Sequence, residues 1–336
     1  MAMHKYEDIS EKVYARAEEE SLGGKEKFWL RADNDVRWLF KIGRDNPENW
    51  SEVLAADICQ ALHIPHAEYK LAVYNGKPGV ISKDFVRLSP QGETRDFTFR
   101  DSTCLLANFL EICGKDILEN IAPPIADRFQ QLTLTISRKE MIQAMRHIEV
   151  AAFMVWFHQE AAKEGTTFLI RAPNFPKSEY SLLHYFVGYL MLDVLIANRD
   201  RHQENWGYIE EISGGDEKCC APTYDHASSF AKESDEKKEA LMNNKNGFGV
   251  KDFCRRAFTP FVNFAGKKLT TLEVFAFVNA YWPKEAEYWK RRLRRCSMEK
   301  VFIPLVHRFP DDVMSPITKD FVIEMLRFNK DRILYL

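Results

Sequence analysis

The apolar run from Tyr185 to Ala197 stops at a polar knot, Asn198-Arg199-Asp200-Arg201-His202-Gln203-Glu204-Asn205. A run this apolar is buried as a helix of a folded domain, and the polar residues at its end are presented by that core. Asp200 and Asn205 stand five positions apart with His202 between them, and Tyr224-Asp225 follows further along the chain. A carboxylate, an Asn at the fifth position and a later Asp make the pattern of phosphoryl-transfer sites. There the first Asp accepts or orients the proton of an attacking hydroxyl, while the Asn and the second Asp hold Mg²⁺ on the phosphates. The loop must be tight, because base and metal have to meet within a few ångströms. Taken alone, the same residues also describe a helix end and a solvated turn, so the rest of the chain has to decide.

The chain has 336 residues, enough for one large or two moderate domains, and 46% hydrophobic with 29% charged residues supplies both a core and a surface. A net charge of −2 gives no drive toward non-specific nucleic-acid binding, so direct binding to nucleic acid is not expected. The seven cysteines are odd in number and form no C-x2-C pair, which argues against a disulfide framework or a zinc knuckle and for a reducing, cytoplasmic setting. The vicinal Cys219-Cys220 reads as an ordinary strand edge or turn. Met1 to Glu20 is polar and shows no Sec signal, while secretion by another route would leave no mark. The apolar stretches at Ala151–Phe157 and Tyr185–Ala197 are too short to span a bilayer, and Asp193 interrupts the second.

In chain order, the charge-rich residues 1–20 are expected as a helical lead-in. Ser21-Leu22-Gly23-Gly24-Lys25-Glu26-Lys27 follows, where two glycines allow a tight turn with exposed N–H groups suited to a phosphate. A plain hairpin lead-in reads the same way. Strands are expected at Phe28–Ala32 and Val36–Ile42 about the turn Asp33-Asn34-Asp35. Lys41 lies in the second strand between apolar residues, as a snorkelling edge residue or as the partner of a helix acid. A helix capped by Asn49 or Ser51 should run to about Leu62, with Leu54, Ile58 and Leu62 as its apolar stripe and Glu52 in its first turn. A strand lysine followed by a helix glutamate is the arrangement that fixes a lysine against ATP phosphates. A first-turn acid is equally favoured by the helix dipole. Glu68–Tyr74 and Val80–Val86 flank the turn Asn75-Gly76-Lys77-Pro78-Gly79, and by analogy the peptide groups of Lys83, Asp84 and Phe85 meet an adenine edge.

The lobe boundary is placed near residues 86–98, giving an N-lobe of 1–90 and a helical C-lobe of 91–336. Helices are expected at 105–111, 116–120, 125–132, 138–162 and 181–197. Trp206–Glu210 and Cys220–Tyr224 should pair across Ser213-Gly214-Gly215-Asp216, which puts Asp225 beside Asn205 and makes one site of two motifs. Residues 232–251, charged and rich in Asn and Gly, are expected to be mobile, and helices return at 271–280, 283–295 and 318–329. Lys290 to Arg295 is the most basic cluster, a solvated face or a docking surface for an acidic or nucleic-acid-bound partner.

The ordered set is a Gly-Gly loop, a strand Lys, a helix Glu, Asp-x4-Asn and then Asp. Together Ser21-x-x-Gly24, Phe40-Lys41, Asn198-x-Asp200-x-His202-x-x-Asn205 and Tyr224-Asp225 resemble the HipA-like serine/threonine kinases, a bacterial family with toxin and secreted members. The resemblance covers about residues 20–260. It implies an α+β, two-lobed protein-kinase-like fold, ATP and Mg²⁺ as cofactors, and a protein substrate with a Ser or Thr acceptor. Carried over by motif, Asp200 is the catalytic base, Asn205 and Asp225 are the metal ligands, and Lys41 holds the nucleotide phosphates with Glu52 behind it. His202 supports the loop and approaches the nucleotide beside Tyr224, Gly23 to Lys27 cover the phosphates, and Lys83 to Phe85 meet the adenine. Ser21 matches a loop serine that these kinases phosphorylate on themselves, and a phosphate there would compete with ATP for the same N–H groups. The chain departs from the full-length toxins in lacking their extra N-terminal subdomain, which puts it nearer the compact branch and leaves an antitoxin-like partner open.

Arg199-Asp200-Arg201-His202-x-x-Asn205 is also similar to the loop of phosphatidylinositol kinases, so a lipid or small-molecule kinase remains a second reading. A metal-dependent phosphohydrolase using Asp200, His202, Asp225 and His226 is a third, with His226 otherwise a turn residue. A pseudokinase that serves as an interaction protein is a fourth.

Overall fold

A computed structural model describes residues 2–10, 15–19, 26–31, 37–43, 46–86, 97–101, 169–170, 182–211, 218–262 and 267–336. The expected helices between 105 and 162, the strand turn at 33–35 and the loop residues 21–25 lie outside these described residues.

The N-terminal part is a six-stranded sheet. Its strands are β1 (Glu7–Asp8), β2 (Ala15–Glu19), β3 (Lys27–Arg31), β4 (Arg37–Ile42), β5 (Tyr69–Tyr74) and β6 (Lys77–Lys83), in the spatial order β1-β5-β6-β4-β3-β2. All neighbours are antiparallel except β1 along β5. Helix α1 (Asn46–Leu62) packs on β5 and β6. The helical lead-in expected for residues 1–20 is corrected by this sheet, because β1 and β2 are its two edges. Edge strands tolerate the charges that line this stretch, and pairing with a formed sheet outweighs local helix propensity.

Two details of this sheet shape the site. The β5–β6 turn needs only Asn75 and Gly76, with φ of 50° and 73°, the left-handed pair a two-residue hairpin requires. Lys77 and Pro78 therefore belong to β6, not to the longer turn the sequence suggested. Gly79 faces Ile42 across β4, and a Cβ there would lie 2.3 Å from the Lys41 carbonyl oxygen. Only glycine lets the two backbones come this close.

The rest is mostly helical. Helix α2 (Leu182–Leu195) is buried and packs against α5 (Thr271–Tyr281), α6 (Pro283–Arg295) and α8 (Pro316–Leu334), while the short α7 (Ile303–Val306) packs on α1 and α8. Gly188 of α2 sits under Trp289, whose indole N–H donates to the His184 carbonyl at 2.7 Å. Strands β7 (Phe97–Asp101), β8 (Leu169–Ile170), β9 (Gly207–Glu211) and β10 (Lys218–Cys220) form a second sheet in the order β7-β9-β10-β8. β9 and β10 pair antiparallel as a hairpin was expected to, but β10 ends at Cys220, where the strand expected at Cys220–Tyr224 was to begin; β7 and β8 fall where the sequence showed polar or irregular chain. One hydrophobic core runs from α1 through α2 to α8, and a smaller one of Ile9, Phe28, Leu30, Phe40, Ala72 and Ile81 covers the far face of the first sheet.

The expected mobile stretch 232–251 is instead built. It contains α3 (Asp235–Met242) and the start of α4 (Val250–Arg255). Ser234 caps α3 by accepting from the Lys237 N–H, acids fill the first turn, and Lys238 and Leu241 are buried. Lys238 donates to Thr318 of α8 at 3.0 Å and lies near the Trp50 ring. Polar composition disguised a helix whose contacts come from a distant part of the chain.

Candidate active site

Strand alternation decides what faces the cleft between the lobes. Phe28, Leu30 and Phe40 point to the far-side core, so Lys27, Trp29, Leu39 and Lys41 point the other way. Lys27 pairs with Lys41 and Trp29 with Leu39, and Ser82 continues the row across β6. These five residues, with Tyr69, Lys83 to Val86, Thr98, Phe99, His202, Glu204, Asn205, Tyr224 and Asp225, enclose a cleft of about 460 Å³.

Lys41 is not an edge residue, since β4 lies between β3 and β6. Its ammonium is 3.5 Å from Glu52 Oε1 and 3.7 Å from Asp225 Oδ1. Burial works against its charge, but the carboxylates of Asp225 and Glu52 outweigh it and hold its pKa well above the usual lysine value. Glu52 is 1% exposed and lies in the second turn of α1, because the helix begins at Asn46, earlier than expected. The dipole explanation for Glu52 therefore falls, and Glu48 occupies the first turn. Glu52 Oε2 instead accepts the His226 backbone N–H at 2.7 Å.

The polar knot at the end of α2 is organised from below. Ala197 turns the chain with φ of 51°, and the Asn198 N–H returns to the Asp193 carbonyl at 2.9 Å. The Asp193 carboxylate accepts from Asn198 Nδ2 at 2.8 Å and from Arg201 Nε and Nη2 at 2.9 and 2.8 Å. Arg201 is wholly buried; burial opposes its charge, yet Asp193 raises its pKa above the usual value. Its Nη1 donates to the Asn205 carbonyl at 2.8 Å, so one side chain ties both ends of the loop.

Above this pair, Asn205 Nδ2 donates to the Asp200 carbonyl at 2.7 Å. That bond fixes the amide and leaves its oxygen as the donor atom for a cation. The Asp200 carboxylate is half-exposed, 3.7 Å from His202 Nε2 on one oxygen, and accepts from the Ser228 hydroxyl on the other at 3.3 Å. Tyr224 donates to the Glu204 carbonyl at 2.6 Å, lies tilted against Phe85 and meets Phe99 edge-on, with ring centroids 5.7 Å apart in each pair. Asp225 has φ of 57°, a left-handed conformation that concentrates at functional sites.

His226 is a buried joint, not a turn residue. Arginine can only donate, and Arg201 Nη2 lies 3.4 Å from His226 Nε2. The Thr223 hydroxyl is closer to the same nitrogen, at 2.9 Å, and Nδ1 lies 3.8 Å from Glu52 Oε2. Burial and then the Arg201 charge hold its pKa well below the usual histidine value, so it stays neutral. A chain of contacts runs from Asp193 through Arg201, His226 and Glu52 to Lys41 and Asp225.

The structure thus brings together Lys27, Lys41, Lys83, Asp84, Phe85, His202, Asn205, Tyr224 and Asp225, with Glu52 behind Lys41 and Asp200 next to His202. Glu26 is apart from them, its exposed carboxylate 3.5 Å from Lys77. Ser21, Gly23, Gly24 and Lys25 lie outside the described residues. Asp84 accepts the Val86 N–H at 2.9 Å, and its own N–H donates to the Arg37 carbonyl at 2.9 Å. The expected adenine strand is thereby fixed in shape. Asp193 and Tyr69 were given no role in the site from sequence, and Arg201 entered only as part of the phosphatidylinositol-kinase-like motif. The one available signal was an acid inside an apolar helix, at Asp193.

An oxygen donor set of one carboxylate and one amide suits Mg²⁺, which takes few protein ligands and completes its shell with water and phosphate. Among the described residues no group of three His, Cys, Asp or Glu could hold a metal ion, and His226 is engaged below the cleft. A phosphohydrolase metal pair therefore finds no ligand cluster there. No helix among them is long and apolar enough to cross a membrane.

The small sheet-and-helix part, the larger helical part and the cleft between them define a two-lobed, kinase-like fold. No protein-family model matches the sequence, and no curated protein matches it. Among solved structures, the crystal structure of the Helicobacter pylori proinflammatory kinase CtkA is similar with a TM-score of 0.66 and 19% identity, over 98% of this chain and 96% of that one. HipA in a Shewanella oneidensis MR-1 toxin–antitoxin complex with HipB and operator DNA is similar over 96% of this chain and 66% of that one, with a TM-score of 0.48 and 12% identity. The likeness to CtkA extends along nearly all of both chains, and the fold is the one that the resemblance to HipA-like kinases implies.

Proposed function

We propose that the protein is an ATP- and Mg²⁺-dependent serine/threonine protein kinase that autophosphorylates. The observation that supports this best is Lys41 shared between Glu52 and Asp225, across one cleft from the Asp200–His202–Asn205 loop. Lys41 binds nucleotide phosphate as a held cation. Asp200, half-exposed, receives the proton of the acceptor hydroxyl, with His202 and Ser228 orienting its two oxygens. Phe85, Phe99 and Tyr224 give the cleft an aromatic wall for a base. Asn205 and Asp225 would hold Mg²⁺, which supplies charge neutralisation on the phosphates. Most of the rate comes from positioning and electrostatics, because phosphoryl transfer asks little covalent help of the protein. The acceptor is a Ser or Thr of a protein, Ser21 on this chain included. An effector or toxin role, with an antitoxin-like partner, belongs to the same reading through the resemblance alone.

Intact-mass spectrometry of the wild type and Asp200→Ala, with and without ATP and Mg²⁺, tests it. The wild type should gain one or more phosphates and the variant none, with nucleotide binding retained. No gain by a wild type that binds ATP would refute autophosphorylation and turn attention to lipid headgroups as acceptors.

A further inference from the structure

Tyr69 belongs to no motif and appears as one more buried aromatic of β5, 7% exposed. Its position is particular. From the N-terminal sheet its hydroxyl crosses to the other lobe and accepts the backbone N–H of Asp225 at 3.2 Å. Its ring lies beneath Lys41, whose ammonium is 5.7 Å from the ring centre. One side chain thus touches both groups that the kinase reading assigns to the phosphates and the metal.

The contact falls where the backbone needs holding. Asp225 is one of seven non-glycine residues with positive φ among the described residues, a conformation that persists only when its surroundings determine it. Three anchors surround it. The next N–H, of His226, is held by Glu52; the preceding side chain, of Tyr224, is held by the Glu204 carbonyl; and its own N–H is held by Tyr69. The first two fix its neighbours, while the third holds the backbone of Asp225 itself and Lys41 meets its carboxylate at 3.7 Å. Burial raises the Tyr69 phenol far above the pH of any assay, so it stays an uncharged hydroxyl. It steers Asp225 without competing with it for a cation.

We propose that Tyr69 is a positioning residue that sets the Asp225 carboxylate for metal binding, and so links the nucleotide lysine to the metal site across the lobes. The inference rests on the kinase reading above. A residue that merely fills the core would tolerate Tyr69→Phe, which keeps the ring under Lys41 and removes one oxygen.

The test is calorimetric titration of wild type and Tyr69→Phe with a non-hydrolysable ATP analogue, first in EDTA and then at a series of Mg²⁺ concentrations. Loss of one hydrogen bond predicts about a five-fold rise in the Mg²⁺ concentration that half-saturates the metal-dependent binding. Binding in EDTA should be unchanged, because Lys41 keeps its ring and both its carboxylates. Coincident Mg²⁺ curves for the two proteins overturn the inference, as does equal weakening with and without Mg²⁺, which marks general loosening of the cleft. A wild type with no Mg²⁺-dependent binding at all is a different result. It removes the kinase reading, and the role of Tyr69 with it.

Discussion

Asp193→Asn should unsettle this protein more than any change to the residues that line the cleft. The substitution keeps the shape and removes one charge. Asp193 currently accepts two bonds from Arg201 and one from Asn198 Nδ2. Arg201 has no exposed surface and cannot shed its proton, so the variant leaves a buried, uncompensated cation. Breaking a buried pair in this way costs about 3–5 kcal/mol, although an intact pair adds little net stability of its own. At about 2.1 cal/mol/K per residue, unfolding 336 residues carries an entropy of about 0.7 kcal/mol/K. The expected drop in melting temperature is therefore about 4–7 °C. Differential scanning fluorimetry measures it directly. Arg201→Met in the Asp193→Asn background removes the stranded charge and should recover part of the loss. It should not reach wild type, because the Asn205 carbonyl also loses its donor. If Asp193→Asn melts within about 1 °C of wild type, or if the double variant melts no higher than the single one, the buried pair does not organise the loop as described.

Gly79→Ala should lower stability by about 1–3 kcal/mol and weaken ATP binding, since the new Cβ meets the Lys41 carbonyl at 2.3 Å and β4 must shift; urea denaturation and nucleotide titration read the two effects. Stability should also fall on acidification. Burial, and then the Arg292 charge, lower the His184 pKa to about 4, against 6.5 for a free histidine. The unfolded chain therefore takes up a proton that the fold refuses. The contribution is complete above pH 6.5 and is lost as pH falls toward 4, by roughly 1–3 kcal/mol. Between pH 6.5 and 4 the urea midpoint of wild type should fall more than that of His184→Phe, which has no group to titrate there; parallel profiles would exclude His184 as the source.

The fold was legible where local chemistry is self-sufficient. Asn75-Gly76 dictates its own hairpin, Pro283 opens α6, and the Leu54, Ile58 and Leu62 stripe marks α1 as a packed helix. That Asn205 and Asp225 line one cleft was legible for a related reason. Their meeting depends on spacing along one loop and one hairpin, and β9 pairs with β10 in that hairpin. The failures share a cause. The strands β1 and β2 look like a charged helix, and α3 looks like a loose loop, because each is made by partners far away. The sheet edge recruits the first two, and Trp50 and Thr318 recruit the third.

The layer beneath the cleft is the clearest case of chemistry that spacing cannot show. In the sequence Asp193, Arg201 and His226 read as parts of an apolar helix, a solvent-like knot and a turn, with no common period. Folding stacks them under Glu52, which arrives from the other lobe through the His226 N–H. Each is an expensive residue to bury alone; Asp193 and Arg201 pair opposite charges, and neutral His226 links them to Glu52, Lys41 and Asp225. A polar network of this kind is favourable only when every member is in place. The loop and the strand lysine are thus held by a single arrangement, so a change at Asp193 should be felt at Lys41 although the two do not touch. Nucleotide titration of Asp193→Asn below its melting temperature measures that coupling. Affinity equal to wild type would show that the two halves of the site are set independently.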